Sequence, residues 1–485
     1  MKSFWQIVII PALFLAGCGG NASAQQSLPF ELVTAAPNAS LTPTPFQPVL
    51  WTQTALLLSQ PNTDSATPTS TPSALTPTTP PTIDPNFLIN TIAPQPTIDS
   101  SNSQVLNNGE DTVNFLLIGS DKRSGTSFRT DTMVVAILRP NDGQVSLISI
   151  PRDLWVSIPD SENQRINTAY QRGELIDYPG GGPGLLKDTI QYNLGIRIDH
   201  TAMVDFDGFR QIVDTLGGVD VPVSCPYTDC HLIDPTFNPE IEENWSLYTV
   251  EPGVIHMDGD LALWYARSRQ KSSDFDRGRR QQEVLRAIFT QALQTGTISR
   301  ISELYDNFKD TVTTDLGLGD ILQLSLYAPK MTNADIRSYY IRPPYVSSWV
   351  TEGGAYVLLP NQELLPQLLT EALSASTTTV QRQTISVDVM NGTSVPGYET
   401  LAATRLNYAG YKTHIIPPDR QDYAYSVLID KSAVQDSSIS DSILGVMGML
   451  QGSLIPASDP NSSSQYLLIL GYDYQPCFRP ESLSQ

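Results

Sequence analysis

Five arginines stand close together between residues 267 and 280, in a chain whose formal net charge is −21. They are Arg267, Arg269, Arg277, Arg279 and Arg280. Arginine carries a planar fork of donors that stays charged and pairs bidentately with phosphate oxygens. The cluster therefore predicts a bound pyrophosphate, and the alternative is a solvated helix face.

Two aspartates and one more arginine are predicted to meet at one edge of a sheet. Strand-like runs end just before Asp121 and Arg152, and another begins just after Asp131. If the strands form an antiparallel meander, these three side chains lie at the same edge. Mg²⁺ usually takes one or two carboxylates together with phosphate oxygens and water, so the group predicts a magnesium-bound phosphate. The alternative pairs the aspartates with cations of the same loop, namely Lys122, Arg123 and Arg129.

Helical spacing sorts the arginines of the cluster by face. The second half of the cluster opens a predicted helix over 277–294, whose apolar stripe faces the core. Arg277 and Gln281 continue that stripe, so we expect both to point inward at the edge of a cleft. Arg279 lies off the stripe and is expected to be solvated, and Arg280 is intermediate. The positive end of the helix dipole also favours an anion.

Strand and helix patterns alternate from residue 113 onward, which predicts an α/β fold with a layered sheet. The turn Pro140-Asn141-Asp142-Gly143 predicts a hairpin between the second and third strands. A Ser/Thr-rich stretch at 374–379 precedes a second, smaller α/β unit. The predicted boundaries are 1–18 for a signal peptide with a lipobox, 19–108 for a Pro/Thr-rich disordered tether, 109–375 for the main domain and 380–476 for the small one.

The N-terminus predicts export to the outer face of the cell membrane. The apolar run from Phe4 to Leu15 is short for a membrane span, and Leu15-Ala16-Gly17-Cys18 resembles a bacterial lipobox with Cys18 as the lipidated residue. An uncleaved anchor and a plain secretory signal are the alternatives. The acidic balance, without a long basic stripe, argues against a nucleic-acid partner.

The remaining cysteines are Cys225, Cys230 and Cys477. In an oxidising compartment the close pair Cys225 and Cys230 is expected to form a disulfide, whereas one nearby histidine is thin support for a zinc site. Cys477 is left over, either free or paired in a way that the sequence does not reveal.

From about residue 113 to 294 the chain resembles the LytR–CpsA–Psr proteins, which attach cell-wall glycopolymers to peptidoglycan. Part of the small C-terminal unit, Val389-Met390-Asn391-Gly392-Thr393, looks like an additional domain that many of these proteins carry. The motifs that carry the main resemblance are Leu117-Ile118-Gly119-Ser120-Asp121, Arg129-Thr130-Asp131-Thr132, Ser149-Ile150-Pro151-Arg152-Asp153, Arg165-Ile166-Asn167, Val204-Asp205-Phe206-Asp207-Gly208-Phe209, Leu216-Gly217-Gly218-Val219, Tyr265-Ala266-Arg267-Ser268-Arg269 and Asp274-Phe275-Asp276-Arg277.

The resemblance implies an enzyme with a layered α-β-α domain that binds Mg²⁺ through Asp121 and Asp131. It places the pyrophosphate of an undecaprenyl-linked glycan on four arginines and the lipid tail in an apolar groove. Gln281, Arg165 and Arg129 are implied to lie near the head group. The four arginines are Arg152, Arg267, Arg269 and Arg277.

One departure concerns Asp276, which replaces a glycine of the family motif and is expected to weaken the hold of Arg277 on phosphate. The implied reaction transfers a teichoic-acid-like or capsule-like polymer to a peptidoglycan hydroxyl, with Asp153 or Asp131 as the candidate base. Two alternatives stay open. One is a magnesium-dependent polyprenyl-pyrophosphate hydrolase, and the other is a non-catalytic wall-binding or regulatory lipoprotein.

Overall fold

A computed structural model describes residue 106 and the ranges 112–120, 130–234, 236–269, 272–296, 301–309, 311–375 and 382–477. The predicted signal peptide, the lipobox with Cys18 and, apart from residue 106, the tether lie outside the described residues. Asp121 and Arg129 also lie outside them. Within the described ranges, no helix is both long enough and apolar enough to cross a membrane.

Strands and helices alternate up to residue 373, as the α/β prediction requires. The strands are β1 (Val113–Ser120), β2 (Thr130–Arg139), β3 (Gln144–Ser149), β4 (Trp155–Ser157), β5 (Asn163–Arg165), β6 (His200–Asp205), β7 (Val219–Val223), β8 (Tyr227–Leu232), β9 (Trp245–Val250), β10 (Gly253–Met257), β11 (Val312–Thr314), β12 (Ile336–Tyr340), β13 (Val346–Val350) and β14 (Tyr356–Pro360). The helices are α1 (Thr168–Leu175), α2 (Gly181–Leu194), α3 (Phe206–Thr215), α4 (Gly259–Arg267), α5 (Asp274–Gln294), α6 (Ile301–Phe308), α7 (Leu318–Ser325) and α8 (Leu364–Leu373).

The central sheet has the strand order β11-β6-β1-β2-β3-β12. The strands β1, β2 and β3 run antiparallel in sequence, so the predicted meander is confirmed. Its tight turn uses Gly143, whose φ of 64° is a conformation that favours glycine. Because β1 and β3 point the same way, the end of β1, the start of β2 and the end of β3 share one edge. The parallel strands β6 and β12 also end at that edge.

Helices cover both faces of this sheet, which confirms the layered α-β-α prediction. On one face, buried residues of β1 and β2 such as Leu116 and Val135 pack in a single core with residues of α1, α2 and α8. On the other face, Val134 and Leu147 pack against Leu285 and Phe289 of α5. The first turn of α5, which carries Arg277, lies at the sheet edge beside the end of β3.

The C-terminal residues form a second sheet with the order β16-β15-β19-β17-β18 and a core of its own. Its strands are mixed, since β15 is parallel to both neighbours and β17 is antiparallel to β19. The elements are β15 (Ser386–Asn391), α9 (Tyr398–Tyr408), β16 (Lys412–Ile416), β17 (Val427–Asp430), α10 (Ser437–Met447), β18 (Leu454–Pro456) and β19 (Tyr466–Leu470).

A disulfide connects the two parts of the chain. Cys225, just after β7, is bonded to Cys477, with their Cα atoms 4.3 Å apart. Cys225, Cys230 and Cys477 all take part in disulfide bonding, so the predicted Cys225–Cys230 bridge stays a prediction. The approach of Cys477 has a tertiary cause: α9 packs against β7 and β10, and Arg405 of α9 donates a hydrogen bond to the carbonyl of Pro476. These contacts bring the end of the chain to Cys225, which sequence spacing alone cannot show.

This bond closes a loop with a sequence separation of 252, so it should stabilise the fold by restricting the unfolded chain. We expect Cys477→Ser to lower the free energy of unfolding by about 2–4 kcal/mol, measured by chemical denaturation. Peptide mapping without reductant should recover a Cys225–Cys477 peptide from the wild-type chain. A dominant Cys225–Cys230 peptide would contradict the observed pairing.

Candidate functional site

A pocket opens at the shared edge of the central sheet, where the first turn of α5 meets the ends of β3 and β12. Its charged and polar lining comes from Asp131, Arg152, Asp274, Arg277 and Gln281. Its apolar wall is formed by Met133, Ile150, Phe275, Tyr340 and Ile341. The pocket thus joins a charged rim to an apolar wall.

Arg152 lies at the centre of the charged rim and contacts three carboxylates. It donates to Asp131 Oδ1 at 2.8 Å and to Asp274 Oδ2 at 3.2 Å, and its Nε lies 3.5 Å from Asp153 Oδ2. The residue follows β3, where a backbone hydrogen bond from Ile150 to Met133 continues the sheet for one more residue. Burial acts to lower the pKa of Arg152, but the hydrogen bond that it donates to Asp131 and the negative charges of Asp274, Asp131 and Asp153 outweigh burial and raise the pKa. The guanidinium is therefore held charged.

Asp274 is the point on which three arginines converge. Its carboxylate lies 3.2 Å from Arg152, 3.3 Å from Arg277 and 3.6 Å from Arg269. The first turn of α5 places it there, with Ser273 as the N-cap that accepts a hydrogen bond from the Asp276 amide. Capping electrostatics ordinarily explain an acidic residue in a first helical turn, so residue type alone does not mark Asp274 as part of a site. Three guanidinium groups around one carboxylate mark a place that accepts concentrated negative charge.

Arg277 and Gln281 both face the pocket, in agreement with their predicted direction. Only 8% of the Arg277 side chain is exposed, and burial lowers its pKa while Asp274 acts in the opposite sense. Gln281 donates to Thr132 Oγ1 at 2.8 Å and to the carbonyl of Ala266 at 3.2 Å. This side chain ties β2 to the end of α4, so it fixes the segment that leads to Arg269.

The other predicted arginines take different places. Arg269 is 45% exposed and reaches Asp274 from the segment after α4. Arg267 ends α4 with its guanidinium carbon 4.3 Å from the centre of the Phe206 ring, outside the pocket lining. Arg165 contacts Asp153 Oδ1 at 3.2 Å and is linked to the pocket only through that residue. The structure therefore gathers Arg152, Arg269 and Arg277, and sets Arg165 one contact away.

The extra carboxylate of Asp276 does not touch Arg277, which corrects the expected weakening. It pairs instead with Arg279 at 3.0 Å and with Arg280 at 3.3 Å, on another face of α5. The prediction that Arg279 is solvated is wrong, since 19% of its side chain is exposed and it also pairs with Glu283. Residues three and four apart on a helix are neighbours, which explains both contacts of Asp276.

Asp131 is the described member of the predicted magnesium-binding pair. It lines the pocket, 37% of its side chain is exposed, and it meets Arg152 through Oδ1, which leaves Oδ2 as the oxygen for a metal ion. Over the described ranges no cluster of three or more histidine, cysteine, aspartate or glutamate residues is arranged to hold a metal. One carboxylate agrees with a magnesium ion that takes its other ligands from phosphate oxygens and water.

Comparison with known proteins assigns the chain to a family. A model of the LytR_cpsA_psr family matches residues 90–373. The polyisoprenyl-teichoic acid–peptidoglycan teichoic acid transferase TagU of Oceanobacillus iheyensis is 34% identical over 228 residues, which cover 46% of this chain and 65% of that protein. The protein of the same name from Halalkalibacterium halodurans is 32% identical over 220 residues, covering 44% and 64%. The chain thus spans slightly less than two thirds of the length of these relatives.

Among solved structures, the chain is similar to the crystal structure of Bacillus subtilis TagV, with 25% sequence identity and a TM-score of 0.44. That similarity covers 55% of this chain and 99% of the other. The assignment itself follows from the family model, because its match extends over more than half of the chain. This chain belongs to the LytR_cpsA_psr family.

Proposed function

We propose that this chain transfers a teichoic-acid-like or capsule-like glycopolymer from undecaprenyl pyrophosphate to peptidoglycan. The observation that carries the proposal is the convergence of Arg152, Arg269 and Arg277 on Asp274 beside an apolar wall. A pyrophosphate carries more charge than a carboxylate and can take its place as the shared partner of these arginines. The apolar wall suits the first isoprene units of the lipid. The names of the two TagU relatives support the same assignment.

The charge of the site agrees with a bound pyrophosphate and a cation. Arg152, Arg269 and Arg277 stand against the three carboxylates of Asp131, Asp153 and Asp274, so a cation would balance the charge that a bound pyrophosphate adds. Without a ligand the arginines are partly neutralised by these aspartates and held in place. The binding of a pyrophosphate therefore exchanges partners and does not require arginines to be assembled from solvent.

In the proposed reaction a sugar hydroxyl of peptidoglycan attacks the phosphorus that carries the glycan. A new phosphodiester bond forms, the bond to the bridging oxygen breaks, and the polyprenyl monophosphate leaves. Arg152 and Arg277 stabilise the charge that develops on the phosphate oxygens, and such preorganised stabilisation is often the largest catalytic contribution. The hydroxyl proton passes to a carboxylate, for which Asp153 and Asp131 are the candidates.

Magnesium is the proposed cofactor, held by Asp131 together with Asp121. When bound it would supply positive charge to the pyrophosphate oxygens. Chelation with EDTA is expected to reduce transfer by about 100-fold or more, and added Mg²⁺ should restore it. Asp131→Asn should raise the Mg²⁺ concentration needed for half-maximal transfer. Full activity of the chelated protein would contradict the assignment of the cofactor.

The decisive experiment incubates the purified full-length chain, in detergent, with a lipid-pyrophosphate glycan, peptidoglycan fragments and Mg²⁺. The glycan–peptidoglycan adduct is followed by mass spectrometry, and the released lipid phosphate is counted in parallel. We expect adduct from the wild type and little from Asp131→Ala. Release of lipid phosphate without adduct would identify a hydrolase. Absence of both products would favour a wall-binding or regulatory role.

We further infer that the chain works outside the cytoplasm, on the outer face of the membrane, through a lipid on Cys18. The supporting observations are the apolar run that ends in the lipobox-like Leu15-Ala16-Gly17-Cys18 and the proposed lipid substrate. Metabolic labelling with a fatty-acid probe should mark the wild type and leave Cys18→Ala unmarked.

A further inference from the structure

A ribbon of four short strands lies beside the arginine site. The strands β4 and β5 pair with Trp155 directly opposite Arg165, and β13 and β14 form a hairpin. A bridge between Leu154 and Leu358 joins the two pairs, and the amide of Leu358 donates to the carbonyl of Asp153 at 2.9 Å. The four strands therefore form one continuous surface, named here the aromatic ribbon, comprising 154–157, 163–165, 346–350 and 356–360.

Aromatic side chains from the two halves of the ribbon meet in water-accessible positions. The rings of Trp155 and Trp349 lie 6.2 Å apart in an edge-to-face arrangement, and both side chains are partly exposed. Tyr356 is 55% exposed and donates to the hydroxyl of Ser348. In an edge-to-face pair one ring keeps both faces clear of its partner. Such a surface suits the apolar face of a sugar ring, which stacks on indole through its C–H groups.

The ribbon is connected to the pocket through a short chain of polar contacts. Arg165 donates to the carbonyl of Tyr356 at 2.7 Å and lies 3.2 Å from Asp153 Oδ1. The second oxygen of Asp153 lies 3.5 Å from Arg152, which is the hub of the arginine site. Asp153, a candidate base for the acceptor hydroxyl, thus lies between the aromatic ribbon and the pocket proposed to bind the pyrophosphate.

We propose that the aromatic ribbon is the subsite for the acceptor, a neutral strand of β-linked N-acetylated hexosamines. This inference rests on the proposed function, because it assigns the acceptor of that same reaction. A sugar stacked on Trp155 and Trp349 would have Asp153 on the side that leads to the phosphate. The charge of the turn between β13 and β14 also favours the acceptor over the donor. This hairpin turn carries Glu352 and no cation between residues 350 and 356, which disfavours a polymer rich in phosphate and tolerates neutral sugars.

The test measures sugar binding and transfer separately. Wild-type chain, Trp349→Ala and Trp155→Ala are titrated with a neutral tetrasaccharide of β-1,4-linked N-acetylglucosamine, using calorimetry. We expect each substitution to weaken tetrasaccharide binding at least tenfold. In the transfer assay, Trp349→Ala should raise the KM for acceptor at least tenfold and leave the KM for the lipid-linked donor within twofold. Trp349→Phe, which keeps an aromatic face, should recover most of the affinity.

Tyr425→Ala is the matched control, since Tyr425 is a 73% exposed aromatic residue of the C-terminal sheet region. It should change neither affinity nor KM. Absence of tetrasaccharide binding to the wild type, or equal binding by Trp349→Ala, would overturn the inference. A rise in the donor KM alone would also overturn it, because the ribbon would then hold the donor glycan. If the tetrasaccharide binds in a way that depends on Trp349 but the chain transfers no glycan, the sugar subsite would be supported and the proposed transferase activity would be rejected.

Discussion

Replacing Arg152 by alanine is expected to reduce transfer by about 100- to 1,000-fold while the chain still folds. Arg152 is the shared partner of Asp131, Asp153 and Asp274, at 2.8, 3.5 and 3.2 Å. Its loss removes one cation from the pocket proposed to bind the pyrophosphate. Three carboxylates then face a pocket that must accept an anion. Both changes oppose binding of the pyrophosphate, so the KM for the donor should rise and kcat should fall.

Arg152→Lys should recover only part of this loss, because an ammonium group is a point charge and cannot reach three carboxylates as a guanidinium does. Arg210→Ala is the matched control. Arg210 also pairs with two carboxylates, those of Asp207 and Asp260, but lies outside the pocket lining. Steady-state transfer kinetics and thermal melting should be recorded for all three variants. Arg152→Ala transfer within threefold of the wild type would reject the arrangement proposed for the site.

Local sequence patterns predicted the frame of the site because local physics determines it. The turn before Gly143 fixes the direction of β3, and that direction places Arg152 at the same edge as Asp131. Helical periodicity likewise set the inward direction of Arg277 and Gln281. In each case the relevant contacts lie within one hairpin or one helix face, where spacing along the chain carries the geometry.

What the sequence could not predict depends on which partner a side chain selects after folding. Helical spacing places Asp274 beside Arg277 and Asp276 beside Arg279 and Arg280. It cannot show that Arg152 and Arg269, which lie outside α5, also come to Asp274. The bond between Cys225 and Cys477 likewise depends on the docking of α9, a contact between residues far apart in the chain.

Among the five clustered arginines, Arg280 is the one whose loss is expected to lower the free energy of unfolding most. Its side chain is fully buried and donates to the carbonyls of Tyr265 and Ser268 and to the hydroxyl of Ser272. Its guanidinium carbon also lies 4.0 Å from the centre of the Tyr227 ring. Arg280→Met would leave buried carbonyl groups without their donor, so we expect the free energy of unfolding to fall by about 3–5 kcal/mol.

The matched control is Arg420→Met, which separates burial from ring stacking. Arg420 also lies over a tyrosine, 4.2 Å from the centre of the Tyr423 ring, but 59% of its side chain is exposed. Its loss should change the free energy of unfolding by about 0.5 kcal/mol or less, because water replaces its contacts. Urea denaturation of both variants makes the comparison.

Arg280 holds the segment that carries Arg269, so Arg280→Met should also slow transfer at temperatures where it remains folded, whereas Arg420→Met should not. Equal stability of the two variants would show that the buried hydrogen bonds of Arg280 do not hold this segment in place.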